Sequence, residues 1–293
     1  MEQTNQRSIK SWVSLIFLGI LWGSSYIFIK KGLESFSPTQ VATIRIVTTG
    51  VAFLPIAIYH FRKTAKYFLP YIAAVGFIGS FFPAFFFSFG QTHVGSAMAG
   101  VLSSLTPLFT LIIGVFFFKQ RGGYRKLIGV ILGLVGASWL IIYGNGRLSG
   151  DWRYGLFIIA ATAFYATSSN IIHTRLKKLN PIALGAISFV IIAIPSAIIL
   201  AQTNFVEILQ THTNAWHSLY YILFLAIFGT FFATMVFFNL VQKEGAVFST
   251  MVGYFFPLVA TFLGYLDGEM IRLPHFVGMA LILSGVYILR RVD

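Results

Sequence analysis

Residues 12–30 read WVSLIFLGILWGSSYIFIK. The run is apolar for the ~20 residues an α-helix needs to cross a hydrocarbon core of ~30 Å. Its centre, Leu21 to Tyr26, nevertheless carries a Trp, two serines and a Tyr. At 3.6 residues per turn, Trp22, Ser25 and Tyr26 share one face, and Gly19 and Gly23 form a smooth stripe beside it. Acyl chains give hydroxyls no partner at mid-depth, so that face is expected to look toward protein or water. The glycine stripe lets a neighbouring helix approach closely. Ser24 and Ser25 also have a local option, donation to a carbonyl of the preceding turn.

The rest of the chain extends this reading. Of 293 residues, 57% are hydrophobic and 10% charged, and the mean hydropathy is +0.82. A soluble domain carries roughly 25% charged residues, so most of this chain does not face water. The net charge of +13 is not a nucleic-acid signature, because the Lys and Arg sit in short groups between apolar runs, as in the cytoplasmic loops of membrane proteins. The chain has no cysteine, which excludes disulfides, thiolate catalysis and Cys-ligated metals. The first apolar run is too long for a signal peptide and lacks a small-residue cleavage site, so it is read as a retained helix.

Ten spans are expected, at about 12–30, 38–59, 68–90, 95–118, 124–143, 153–174, 181–201, 218–241, 245–266 and 274–290. With the N-terminus inside, 15 of the 21 Lys and Arg fall in inner segments and 5 in outer ones, with Arg45 inside a span. That bias places both termini in the cytoplasm. Shifting the sequence by 143 lays Trp22 on Tyr165, Ser25 on Ser168 and Pro38 on Pro181. Shifting it by 150 lays Gly79 on Gly229, Phe81 and Phe82 on Phe231 and Phe232, Gly95 on Gly245, Pro107 on Pro257 and Gly114 on Gly264. Two repeats of five spans must run upside down relative to each other, because five is odd. Inverted repeats are the architecture of alternating access, with a site near mid-membrane where the halves meet. The expected organisation is a cytoplasmic N-terminus (1–11), a first five-helix repeat (12–143), a linker loop (144–152), a second repeat (153–290) and a cytoplasmic C-terminus (291–293). The fold class is thus an all-α membrane protein of ten transmembrane helices in two inverted five-helix repeats.

The run from Leu21 to Tyr26, the segment GSAMAGVLSSLTPLFTLIIGVFFF from Gly95 to Phe118 and the glycine-spaced helix after Arg125 resemble the EamA repeats of the drug/metabolite transporter superfamily. The resemblance covers roughly 13–142 and 153–290. It implies an exporter or exchanger of small organic solutes in a bacterial inner membrane, with a central cavity lined by the first, third, fourth, sixth, eighth and ninth spans. One position departs from the family pattern. The acid that usually ends the fourth span is Lys119 here, whereas the second half keeps it as Glu269.

Several residues are candidates for the cavity. The repeat maps Trp22, Ser25 and Tyr26 onto Tyr165, Ser168 and Ser169, with Asn170 adjacent. An aromatic wall with a few hydrogen-bonding groups suits an uncharged or zwitterionic solute. Phe82 of the Phe-rich third span, Ser103 and Ser104 of the fourth and Tyr254 of the ninth are added to the candidate lining, although most of the Phe in such spans pack or face lipid. Pro107 and Pro257 are expected to kink their helices, as gates or as static bends. Arg45 is the intramembrane charge, a candidate for ligand contact or for anchoring by its long stem; the resemblance matches it to an arginine common in the second span of EamA repeats.

All eight acids fall at span ends or in loops, and the six histidines are peripheral. No span therefore holds a central carboxylate for proton or cation coupling, and neither metal nor cofactor is expected. Nor does a buried nucleophile–base pair appear, which argues against an intramembrane enzyme. Gly129, Gly133, Gly136, Gly278 and Gly285 are spaced for close packing of the fifth and tenth spans. Residues 202–217 carry Phe205, Ile208 and Leu209 on one side, the pattern of a short interfacial helix. The expected partners are a small-molecule substrate and the lipid bilayer, with no nucleic acid, and the chain is expected as a monomer or weak dimer. Organic-anion or sugar-phosphate exchange, as in another branch of the superfamily that the chain resembles, which would need basic groups in the cavity, and a non-transporting receptor or scaffold are the alternatives.

Overall fold

The computed structural model describes residues 9–119 and 152–290, with 128, 131, 132, 135, 136, 139 and 143 of the segment between. The long helices are α1 (Ile9–Leu33), α2 (Pro38–Phe61), α3 (Lys66–Gly90), α4 (Ser96–Phe118), α5 (Trp152–Arg175) and α6 (Pro181–Ala201). They are followed by a short α7 (Phe205–Thr211), then α8 (Ala215–Glu244), α9 (Ala246–Leu266) and α10 (Leu273–Arg290). Eight of these are long and apolar enough to span a bilayer, and α10 contributes a shorter apolar helix. The expected fifth span lies mostly outside the described residues, as do Gly129 and Gly133. Gly136, which is described, sits so close to Ile282 and the Gly278 carbonyl that a Cβ would meet both within 3 Å.

Helix starts repeat their chemistry between the halves. Pro38 opens α2, where its missing N–H costs nothing, and Ser37 and Gln40 form a reciprocal capping box before it. At the matching place Pro181 opens α6, and the Asn180 side chain accepts from the N–H groups of Ile182 and Ala183. Different cap residues thus serve one backbone requirement, four N–H groups with no partner inside the helix.

The packing shows how the halves are related. Helices α2 and α6 run antiparallel, with Gly50 against Ala193 and Phe53 stacked on Phe189 at 5.7 Å. Helices α4 and α9 are also antiparallel, with Gly100 on Ala260 and the start of α4 at Glu269. Contacts between unlike helices come in exchanged pairs. Helix α1 lies along α8 through Trp22–Gly229 and Ser35–Ser218, as α5 lies along α3 through Phe164–Phe82 and Ser168–Gly79. Helix α1 also packs on α9 through its glycine stripe, Gly19 on Phe255 and Gly23 on Val259, as α5 packs on α4 through Asn170. A two-fold axis in the membrane plane produces this pattern, so the repeats are inverted.

Three local features differ from the sequence expectation. Pro107 and Pro257 do not kink continuous helices. Helix α4 stops at Ser103 and restarts at Thr106, while α9 passes through a 3₁₀ turn at Met251–Tyr254 and restarts at Phe256. Each proline stands in the first turn of the restarted helix, where it removes no intrahelical bond. In addition, α3 and α8 carry π-helical segments at Phe77–Phe81 and Leu225–Phe232, at matching places in the two halves. Helix α7 also turns its apolar side inward: Phe205, Ile208 and Leu209 pack on the main core, with Phe205 against Phe36.

Candidate functional site

The breaks and π segments converge on one cavity of about 90 Å³ between the halves. Its wall takes Trp22, Ser25, Tyr26 and Ile29 from α1, Arg45 from α2, and Gly79, Ser80 and Phe87 from α3. Ser103 and Thr106 come from the break in α4, Tyr165 and Ser169 from α5, and Phe189 from α6. Helix α8 supplies Gly229, Thr230, Thr234 and Phe237, and α9 supplies Thr250, Val252 and Phe256. Helices α2 and α6 therefore join the six spans that the family resemblance implies.

Aromatic rings form the frame. Tyr26 packs against Phe87 and Phe256 at 5.8 and 6.0 Å, Tyr165 stacks on Phe87 at 5.9 Å, and Trp22 meets Phe237 edge-on at 4.9 Å. The indole Nε1 of Trp22 donates to the Gly229 carbonyl at 2.7 Å. That carbonyl lies in the π segment of α8, whose i→i+5 pattern disturbs the ordinary ladder, as π segments at functional sites commonly do. Gly79 and Gly229, the equivalent glycines of the two π segments, both border the cavity.

Five of the lining hydroxyls share one polarity. Ser25 donates to Leu21 O, Ser103 to Ala99 O, Thr106 to Ser103 O, Ser169 to Tyr165 O and Thr250 to Ala246 O. With their protons committed to their own helices, these groups present lone pairs to the cavity. Among the described residues Arg45 is the one charged side chain in the wall, and its Nε donates to Thr230 Oγ1 at 2.9 Å.

Of the residues expected to line a cavity, Trp22, Ser25, Tyr26, Ser103, Tyr165 and Ser169 do so. Phe82 does not: it is 40% exposed on the outer side of α3, against Phe86 and Phe164. Ser104 is enclosed in the α4 break, donating to Val101 O. Ser168 fills the space left by Gly79. Asn170 donates to Thr110 O and Ala166 O, tying α5 to α4. Tyr254 packs against the main core. The reason is rotational. Tyr165 and Ser169 are one turn apart on the inward face of α5, whereas Ser168 and Asn170 fall to either side of it. Among the residues that sequence reading missed, Gly79 and Gly229 left a signal in the 150-residue repeat; Thr230, Thr234 and Thr250 left none.

One end of the bundle is held by charge. Lys30 Nζ reaches Asp267 at 2.7 Å and Glu269 at 3.0 Å, and Lys31 Nζ reaches Asp267 at 2.7 Å and Glu34 at 2.9 Å. Glu269 also accepts from the backbone N–H of Ser96 and Ala97, at 2.9 and 3.1 Å, capping α4 from another helix pair. A side chain at Gly95 or Gly264 would collide with that carboxylate. Burial alone would raise the Glu269 pKa, but the two backbone donors and Lys30 outweigh it and hold the carboxyl below its ordinary value. Asp267 is likewise lowered, burial being overcome by Lys30 and Lys31. At the opposite end the matching position is Lys119, exposed and in left-handed backbone conformation. There Ser11 Oγ donates to Glu244 at 2.6 Å and Trp12 meets Phe248 edge-on. Among the described residues no cluster of His, Asp or Glu has the arrangement of a metal site.

The model of the EamA-like transporter family matches residues 10–142 and 152–291. An uncharacterized transporter of Archaeoglobus fulgidus is 28% identical over 97% of this chain and 99% of its own length. The uncharacterized inner membrane transporter YedA of Escherichia coli is 25% identical over 93% of this chain and 88% of its own. An S-adenosylmethionine/S-adenosylhomocysteine transporter of Chlamydia muridarum is 22% identical over 87% and 83%. A solved crystal structure matches with a TM-score of 0.64 at 15% identity, covering 97% of this chain and 99% of that one, which shows a shared fold.

Proposed function

This chain belongs to the EamA-like transporter family, and from that premise we propose that it moves small neutral or zwitterionic organic metabolites, amino acids or similar, across a bacterial inner membrane by alternating access. The observation that carries the proposal is the cavity itself. It lies where two inverted repeats meet, and its polar groups are hydroxyls on several helices, some of which turn lone pairs to the space, and one guanidinium on α2 among the described residues. Lone pairs and ring faces suit an ammonium group, and a guanidinium suits a carboxylate. The named substrates of the Chlamydia relative are themselves α-amino acids, in keeping with this reading. Among the described residues, none in the lining carries a carboxylate, which favours facilitated export or exchange over proton-coupled movement of cations.

In this reading one half rocks against the other, and the unbroken contacts at one end of the bundle open as those at the other close. The charge bias places both termini inside, so the Lys30–Glu269 end faces out. Counterflow in proteoliposomes with a panel of amino acids tests the proposal: saturable exchange is expected, and Trp22→Ala reduces it at least tenfold while folded protein is retained. Absence of counterflow for every solute of the panel, or full exchange by Trp22→Ala, refutes it.

A further inference from the structure

Arg45 stands half-buried at the cavity wall, with no ion-pair partner among the described residues. None of the ion pairs among the described residues involves it, so no carboxylate of those residues lies within 4 Å of its nitrogens. Its hydrogen-bond partners among the described residues are neutral. The Thr230 hydroxyl donates at 3.1 Å to the Leu225 carbonyl, five residues back in the π segment, and turns a lone pair to Arg45 Nε at 2.9 Å. The Tyr165 phenol stands beside the guanidinium. One turn along α2, the Thr49 hydroxyl bonds both Arg45 O and Ala226 O, at 2.8 and 3.0 Å, which pins this stretch of α2 to the same π segment. The result is a guanidinium fixed at Nε, half-buried at the cavity wall, in the span of a membrane helix.

Hydroxyls orient such a group but do not cancel its charge, and an unpaired guanidinium at this depth is strongly disfavoured. Anchoring by snorkelling leaves the head in the headgroup layer; here Nε is instead held to α8 in the wall between the halves. We propose that a carboxylate of the transported solute completes this site, bound by charge-assisted hydrogen bonds from Arg45, and that Thr230 is the positioning residue that aims it. This inference rests on the cavity being the transport site, and it narrows the substrate class to carboxylate-bearing solutes, zwitterionic α-amino acids foremost. A phosphate dianion would call for a second cation, and among the described residues the wall holds one.

The test compares L-phenylalanine, L-leucine and L-serine with their primary carboxamides, which keep the shape and the amine and lose the anion. Binding is read by thermal stabilisation of the purified protein and transport by counterflow. Wild type is expected to prefer the acids by about 10- to 100-fold in apparent affinity, the range of hydrogen bonds to a charged group. Arg45→Gln brings acid and amide within about threefold, and Arg45→Lys, which keeps the charge and loses the planar fork, falls between. Thr230→Val raises KM for the acid about three- to tenfold with kcat retained, and Thr230→Ser restores it. Equal treatment of acids and amides by wild type, or an undiminished acid preference in Arg45→Gln, overturns the proposal while leaving a transporter. Acid binding without counterflow sinks the transport reading and keeps the assignment of Arg45. If no acid is bound and none is transported, that assignment is overturned as well. Should Arg45→Gln fail to fold, an unchanged KM in Thr230→Val overturns it.

Discussion

Replacing Glu269 with Gln should loosen one end of the bundle. The Glu269 carboxylate, 13% exposed, joins Lys30 of α1 to the first two N–H groups of α4. Gln keeps the size and one acceptor but removes the charge. A partly buried carboxylate at a helix N-terminus contributes about 1–2 kcal/mol. The lost Lys30 pair adds little, because Lys30 is 33% exposed and keeps Asp267 at 2.7 Å. A change of about 1–2 kcal/mol in the closed-to-open equilibrium is a factor of roughly 5–30. The chain has no cysteine, so a single Ser103→Cys in the cavity wall reports access cleanly. With a membrane-impermeant maleimide added on the Lys30 side, the Glu269→Gln background should label about 5–30 times faster. Labelling from the opposite side should not rise. An unchanged rate in folded protein would refute the idea that this cluster holds a gate closed.

Acidification should act in the same direction. Glu269 and Asp267 have folded-state pKa values below their ordinary ones, so their contribution to holding that end together is present at neutral pH and fades as pH falls through the depressed values; Ser103→Cys labelling, divided by the labelling of a free thiol at the same pH to remove the loss of thiolate, should rise over that window, and less so with Gln at 269. Gly50→Val should cost about 1–3 kcal/mol of stability, since a Cβ there meets Ala193 and the Phe189 carbonyl where α2 and α6 pass closest; a melting temperature equal to wild type would contradict the packing. Phe82→Ala, on the outer side of α3, should leave counterflow within about twofold of wild type, whereas Trp22→Ala, inside the cavity, should not.

Much of the cavity was legible from the repeat. The 143-residue shift paired Trp22 with Tyr165, and both rings border the cavity. One turn further on it held for Tyr26 and Ser169 and failed for Ser25 and Ser168. In α1 the inward face continues through Ser25 and Tyr26, but in α5 it continues through Ser169, leaving Ser168 against Gly79. Two residues 3 and 4 positions beyond a common start differ by about 100° around a helix, and only the neighbour decides which points inward. The prolines show a similar limit. Their positions marked where α4 and α9 are interrupted, while the form of the interruption, a stop and restart, depends on what the freed backbone groups can reach.

The sequence by itself determined that this is a membrane protein of two inverted helical repeats. The length of each apolar run is matched to the bilayer, the charges flank those runs, and a repeat with an odd number of crossings must invert; each is a property read along the chain. Only the tertiary structure decided that α2 and α6 contribute to the cavity, that π segments place Gly79 and Gly229 at its wall, and that Thr230 meets Arg45 from 185 residues away. Those outcomes depend on the rotation of each helix about its axis and on which faces meet, and packing between distant segments sets both.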